Sequence, residues 1–240
     1  HKILEYSTDP FIPGVSGSES GAIQFLQHIG INPKNGSGWK KVMHLTEEEM
    51  KNLVTGVILT RLGEKNPEDV LGNVYLLREE DHESPTKDAK EFATLLNACG
   101  RLDKASLGIG TCLGDDKIKK RAISLLADYK REIINSLEWY DQNKASDLVT
   151  MGKGYILINA QDKIRPSIIG TLASIVSKSS GIKEKFVMSM AQMADGTTKV
   201  SLRMSGNNES IDLNQMIVKI IEGIPNCEAG GHANAAGALI

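Results

Sequence analysis

The sequence predicts an α/β protein in which a helical N-terminal portion leads through a long connecting helix to a C-terminal α/β domain with a mixed sheet. Three observations predict this arrangement. Apolar residues recur at helical spacing in the first half of the chain, and one such stripe runs over 116–143 without Gly or Pro. From residue 155 onward, short β-type runs alternate with helical runs, which favours a sheet covered by helices.

The first two helices are predicted from their start signals. Ser18 is suited to cap a helix over 19–29, because its hydroxyl can accept a hydrogen bond from a free backbone N–H. Thr46 and Glu49 have the spacing of a capping box, and the acidic residues between them suit the positive end of a helix dipole. We expect that second helix to end near Leu62.

A third helix is predicted over 86–98, with Gly100 as its C-terminal signal. It places Arg101 near its end, either as a surface residue that stabilises the helix or as a clamp on phosphate oxygens. The fourth helix, over 116–143, has the length and regularity of a rigid connector. Its basic residues belong to a solvated face or, alternatively, to a basic track beside a nucleic-acid strand.

The C-terminal part is predicted to contain four strands and two helices. Asp195 and Gly196 have the composition of a tight turn and are expected to join two strands as a hairpin. The predicted strands are 155–159, 186–190, 199–204 and 238–240, and the predicted helices are 167–177 and 211–222.

Two short segments carry candidate anion-binding groups. Ser201 and Arg203 lie two positions apart on a predicted strand, so both side chains face the same side and can form a compact phosphate site. Gly230 and Gly231 precede His232, and a turn without side chains can present backbone N–H groups to a phosphate or carboxylate. The alternatives are an exposed strand face with unrelated polar residues and an ordinary Gly-rich turn before a terminal strand.

The composition is that of a soluble globular protein. Of 240 residues, 40% are hydrophobic and 24% are charged, and the net charge of −2 excludes a global basic field. The three cysteines have no CxxC spacing, so neither a disulfide framework nor a zinc site is indicated, and a reducing, cytoplasmic compartment is expected. No apolar run approaches the length of a membrane span.

Four segments resemble motifs of the DHH superfamily of phosphoesterases, in the order found in RecJ-type proteins. They are similar to the archaeal form of the fourth DHH motif, the NAAGRL segment, the SxR strand of the DHHA1 domain and its closing GGHxxAAG motif. In this chain they read STDPFIPG at 7–14, LNACGRL at 96–102, VSLRMS at 200–205 and GGHANAAG at 230–237. The resemblance implies the C-terminal part of a DHH domain at 1–115, a linking helix at 116–150 and a DHHA1 domain at 151–240.

The resemblance also implies a function. Such proteins are two-metal phosphoesterases that use Mn²⁺ or Mg²⁺, and Asp9 matches the aspartate that reaches the metal centre, although Asp9-Pro10 can also be a simple turn. The residues implied to bind substrate are Arg101, Ser201, Arg203, Gly230, Gly231 and His232. The other metal ligands are expected upstream of His1, so we expect this chain alone to have little or no hydrolytic activity.

The expected whole protein is a single-strand-specific exonuclease that acts on single-stranded DNA or RNA in DNA repair, with replication proteins such as GINS as partners. Two alternatives stay open. One is a phosphodiesterase for short oligonucleotides or cyclic dinucleotides, and the other is a replication-associated scaffold that has lost catalysis.

Overall fold

The computed structural model describes residues 1–5, 7, 12–64, 66–81, 84–179, 182, 184–206 and 210–240. The chain divides into two compact units, His1–Asn73 and Val74–Ile240. Each unit has its own buried apolar clusters. Within the described residues, no helix is both long and apolar enough to cross a membrane.

The first unit is small and mainly helical. Ser18 caps its second helix by accepting a hydrogen bond from Gly21 N, and Thr46 and Glu49 form a reciprocal capping box, so both predicted start signals are confirmed. The helix that starts at the capping box ends at Thr60, two residues before the expected position. The elements are α1 (Lys2–Glu5), α2 (Glu19–His28), the antiparallel pair β1 (Lys34–Asn35) and β2 (Gly38–Trp39), and α3 (Glu47–Thr60).

The second unit begins with three packed helices, α4 (Ala89–Arg101), α5 (Ala105–Cys112) and α6 (Asp116–Asn143). The predicted bounds of α6 are confirmed. The predicted start of α4 is three residues too early, because Asp88 caps the helix by accepting the N–H groups of its first turn. Gly100 lies inside α4 and does not end it, so Arg101 is the last helical residue.

The C-terminal part of the second unit contains a mixed sheet, as predicted, but among the described residues it has six strands where four were predicted. Its strand order is β3-β4-β5-β6-β8-β7, in which β4 and β5 are parallel and all other neighbours are antiparallel. The strands are β3 (Val149–Met151), β4 (Tyr155–Asn159), β5 (Phe186–Gln192), β6 (Thr198–Met204), β7 (Glu228–His232) and β8 (Ala235–Leu239). The predicted hairpin between β5 and β6 is confirmed.

Two helices cover the sheet from opposite sides. Helix α7 (Pro166–Ser177) packs on β5 and β6, and helix α8 (Leu213–Ile221) packs on the other face against β6, β7 and β8. Helix α6 packs against α7, and its Tyr140 side chain is buried in the same cluster as α7. The long helix is therefore part of the compact second unit. The predicted domain boundaries at residues 115 and 150 stay a prediction. The boundary between the two compact units falls after Asn73.

The glycine-rich motif near the C-terminus forms a strand and not the expected turn. Gly230, Gly231 and His232 belong to β7, which was not predicted, and the final strand begins at Ala235 instead of residue 238. Glycine has a low preference for strands, so local composition argues against β7. Continuous pairing with β8 stabilises it nonetheless.

Candidate functional site

A cleft of about 880 Å³ opens on the sheet face that carries α7. Its floor is formed by β6, β8 and β7, and its wall is the first half of α7. The last residue of α4, Arg101, contributes to the rim. The cleft therefore lies wholly in the second unit and brings together residues from four separate parts of the chain.

The pairing register decides which side chains face the cleft. Ser201 on β6 is opposite Gly237 on β8, which is opposite Gly230 on β7. His232 is opposite Ala235, two residues from Gly237, so His232 lies on the same sheet face as Ser201. His232 is exposed at the edge strand, and the cleft lining includes Gly230 but neither Gly231 nor His232.

The three motif glycines differ in their surroundings. A Cβ at Gly230 would meet nothing within 4 Å, so its absence leaves the cleft floor open. A Cβ at Gly237 would lie 2.7 Å from Val200 O. Gly231 has a φ of +149°, and a Cβ there would lie 2.4 Å from Ala235 O. Glycine at position 231 is therefore required by the backbone of the hairpin, whereas position 230 has room for a side chain, which would extend into the cleft.

The Arg203 side chain extends from β6 to the α7 wall of the cleft, and neutral oxygen atoms accept its hydrogen bonds. Its Nε donates to Ser174 Oγ at 3.0 Å, and its Nη1 donates to Leu202 O at 2.8 Å and Ala236 O at 3.2 Å. Burial lowers the pKa of the Arg203 guanidinium, and the positive charge of Arg101 lowers it further. Arginine nevertheless stays charged in proteins, so this partly buried cation favours an incoming anion.

Arg101 is fixed to the start of α7 by a reciprocal pair of hydrogen bonds. Its Nη1 donates to Ser167 O at 2.5 Å, and Ser167 Oγ donates to Arg101 O at 2.5 Å. Within the described part of the chain, neither Arg101 nor Arg203 forms an ion pair with a carboxylate. The positive end of the α7 dipole lies at the same place and adds to the local potential.

Other charged residues make the cleft basic although the chain is slightly acidic. Arg165 also contacts Glu132 at 3.6 Å, and Lys199 is exposed. Lys199 was missed in the sequence, although it precedes Ser201 by two positions and the same alternation rule would have found it. Among the described residues, the lining contains four cations and two carboxylates, namely Arg101, Arg165, Lys199, Arg203, Asp103 and Glu228.

The predicted metal ligand, Asp9, lies outside the described residues, and its role stays a prediction. Among the described residues, one group brings three possible ligand atoms within 4.8 Å of one another: His1, Glu5 and Glu19. Lys2 Nζ lies 2.9 Å from Glu5 and 3.4 Å from Glu19, so a lysine already balances these carboxylates. A two-metal centre needs ligands for two adjacent ions, and this group does not fit that requirement.

Two family models match separate parts of the sequence. The sequence matches the DHH-CID domain over residues 1–73 and the DHHA1 domain over residues 152–240. The chain therefore carries a match to a DHH-CID domain near its start and a match to a DHHA1 domain at its C-terminal end.

Two known proteins are similar to this chain. An uncharacterized protein from Methanocaldococcus jannaschii is 29% identical over 244 residues, which cover all of this chain and 48% of that protein. The crystal structure of RecJ in complex with Mn²⁺ from Thermus thermophilus matches 62% of this chain and 21% of its own, at 20% identity and a TM-score of 0.47. The chain thus spans about half the length of its curated relative.

Proposed function

We propose that this chain is the substrate-binding C-terminal portion of a RecJ-like, metal-dependent phosphoesterase, which as a whole protein is a single-strand-specific exonuclease. In this proposal the cleft grips the phosphate backbone of single-stranded DNA or RNA. The observation that carries the proposal is the pair of arginines, Arg101 and Arg203, in one cleft without carboxylate partners among the described residues.

The physical argument concerns uncompensated charge. Partial burial of a guanidinium without a counter-charge costs free energy of desolvation. A phosphate supplies the counter-charge and accepts two charge-assisted hydrogen bonds from the guanidinium. Ser201 lies on the floor strand β6 close to α7, since a Cβ added at Gly170 would be 3.0 Å from Ser201 Oγ. Its hydroxyl offers a further hydrogen-bond donor to a phosphate. Because contacts to phosphate do not distinguish bases, we expect binding to depend little on sequence.

The catalytic step requires groups beyond the described residues. When bound, two Mn²⁺ or Mg²⁺ ions supply an activated water and stabilise the attacking and leaving oxygens. The residues of this chain would bind and orient the strand, with Asp9 as the one proposed ligand. We expect the 240-residue chain alone not to digest labelled single-stranded DNA in Mn²⁺, and digestion that EDTA abolishes would contradict this expectation.

The decisive binding experiment replaces Arg203 by Ala and follows a fluorescein-labelled oligothymidylate by anisotropy. We expect the binding free energy to weaken by about 1–3 kcal/mol and the slope of log K against log salt concentration to fall by about one. The binding free energy for oligoadenylate should weaken by the same amount. Arg131→Ala, which removes an exposed cation on α6, is the matched control and should bind as the parent does.

Three outcomes distinguish the candidate functions. Equal binding by the Arg203→Ala variant and the parent at low salt would refute the phosphate-binding proposal. Tighter binding of a dinucleotide or cyclic dinucleotide than of the long strand would favour the small-substrate phosphodiesterase. Absence of nucleic-acid binding by the parent would favour the scaffold, and the proposed association with replication proteins such as GINS would then become the main question.

A further inference from the structure

One face of α7 contacts both arginines of the proposed phosphate site. Ser167, Gly170 and Ser174 are spaced by three and four residues, so they form one stripe along the helix. Ser167 holds Arg101, and Ser174 holds Arg203. Each of the two arginines thus has its own serine on the same helix face.

Ser174 is part of a short chain of hydrogen bonds that orients Arg203. Its Oγ accepts from Arg203 Nε at 3.0 Å and donates to Gly170 O at 2.9 Å. Since the hydroxyl proton is directed at the helix carbonyl, a lone pair of the oxygen is left for the guanidinium. The remaining nitrogen, Nη2, lies 3.6 Å from the position that a Cβ on Gly170 would occupy.

Gly170 provides the clearance for this arrangement. A Cβ at position 170 would lie 3.0 Å from Ser201 Oγ, so a larger residue would require the Ser201 hydroxyl or the helix to shift. The close approach of helix and strand brings the hydroxyl of Ser174 within reach of Arg203. The stripe therefore combines one position without a side chain and two short polar side chains.

The chemical type of these partners matters as much as their position. A carboxylate beside Arg203 would hold the guanidinium but would also compete with an incoming phosphate. A hydroxyl or a carbonyl oxygen accepts a hydrogen bond and leaves the positive charge uncompensated. Arginines held by neutral oxygens are thus fixed in place and still attract an anion.

We propose that Ser174 is a positioning residue, which fixes the Arg203 guanidinium toward the cleft without neutralising its charge. Ser167 fixes Arg101 to the start of α7 through its backbone oxygen, which accepts from the guanidinium, and its hydroxyl, which donates to the Arg101 backbone oxygen. This inference rests on the proposed function, because it assumes that Arg203 contacts the phosphate backbone. It adds that α7 sets the geometry of the contact.

The test compares Ser174→Ala, Ser174→Thr and Ser174→Asp with Arg203→Ala in binding to labelled oligothymidylate at several salt concentrations. Loss of one neutral hydrogen bond should weaken binding of the Ala variant by about 2- to 10-fold. Its salt slope should stay at the parent value, because Arg203 keeps its charge, whereas Arg203→Ala should lower the slope by about one. The Thr variant keeps the hydroxyl and should bind the oligonucleotide as tightly as the parent does.

The Asp variant separates position from charge. It places a carboxylate beside the guanidinium, so we expect weaker binding than in the Ala variant and a salt slope close to that of Arg203→Ala. Ser177→Ala is the matched control, since Ser177 lies on the same helix and its hydroxyl donates to Ser174 O at 3.0 Å. The nuclear magnetic resonance signal of Arg203 Nε–H should exchange with water faster in the Ala variant and not in the Thr variant.

The outcomes distinguish this inference from the proposed function. If Arg203→Ala weakens binding and Ser174→Ala does not, Ser174 is not a positioning residue and the phosphate-binding proposal stands. If neither variant weakens binding, both proposals are wrong. If the Ala variant does not fold, the Thr and Asp variants decide, and equal affinity of those two would overturn the inference.

Discussion

Neighbouring glycines in the motif at 230–237 have different physical roles. Gly230 faces the cleft, and a side chain at this position would extend into open space. Gly231 adopts a backbone conformation that other residues rarely adopt, and a Cβ would overlap Ala235 O and the Ala236 backbone. Glycine at position 231 is therefore required by the backbone, and the implied role of Gly231 in binding substrate stays a prediction.

Substitution of each glycine by valine should separate binding from stability. Gly230→Val should fill the cleft floor and weaken oligonucleotide binding, with little change in the free energy of unfolding because valine suits a strand. Gly231→Val should lower the free energy of unfolding by about 1–3 kcal/mol or more, because it forces a strained backbone. Urea unfolding and anisotropy titration of both variants measure the two effects, and equal loss of stability in both would contradict the assignment.

At the scale of elements, the segment before α4 is attached to α6 by Glu80. Lys119 Nζ lies 2.8 Å from Glu80 Oε1, the Thr86 hydroxyl also bonds to this carboxylate, and Lys87 Nζ donates to Glu80 O at 2.8 Å. The hydrogen bond from Lys119, followed by that from Thr86, lowers the pKa of Glu80. The carboxylate is thus more stable in the folded chain than in the unfolded one.

Glu80→Gln should therefore destabilise the second unit in a pH-dependent way. The folded pKa lies below the unfolded value of about 4.3, so the stabilisation is complete at neutral pH and is lost as the pH falls through the folded pKa. We expect a loss of about 0.5–1 kcal/mol at neutral pH that disappears in acid. Urea unfolding at neutral and at acidic pH measures this loss in the free energy of unfolding. Glu79→Gln, which changes an exposed carboxylate, is the control and should leave the free energy of unfolding unchanged at neutral pH.

At the scale of the whole molecule, the cleft belongs to one of two compact units. The described residues that line it lie between Arg101 and Leu239, within the unit Val74–Ile240. The long helix α6 is part of that unit, because Tyr140 is buried in the cluster under α7. Exposed apolar residues mark the junction of the units in the sequence: Leu71, Val74, Tyr75 and Leu76.

A fragment of residues 74–240 should fold and bind oligothymidylate with the affinity of the 240-residue chain. A fragment of residues 151–240 lacks Arg101 and the buried Tyr140, so we expect it to bind more weakly and to unfold at a lower temperature. Limited proteolysis of the intact chain should cut first within 71–77. Cleavage first at 150–154 with release of a stable, fully binding C-terminal piece would show that the smaller fragment is the independent unit.

Local signals in the sequence predict most helices and half of the strands. The capping box at Thr46, the cap at Ser18 and the apolar stripe of α6 act over a few residues, so their patterns are visible without the fold. The end of α4 and the strand β7 differ from the predictions, because glycine at 100 and at 230–231 has low propensity for either element. In both places tertiary packing and strand pairing outweigh propensity.

The sequence by itself determined the α/β class, the family resemblance and the shared face of Ser201 and Arg203, because alternation along one strand is a local property. Only the tertiary structure decided that Arg101 meets Ser167, 66 residues away, and that Ser174 holds Arg203 across the helix–strand contact. It also decided that Gly230 opens the floor while Gly231 shapes the hairpin. Such long-range contacts depend on strand register and helix packing, which a single sequence does not display.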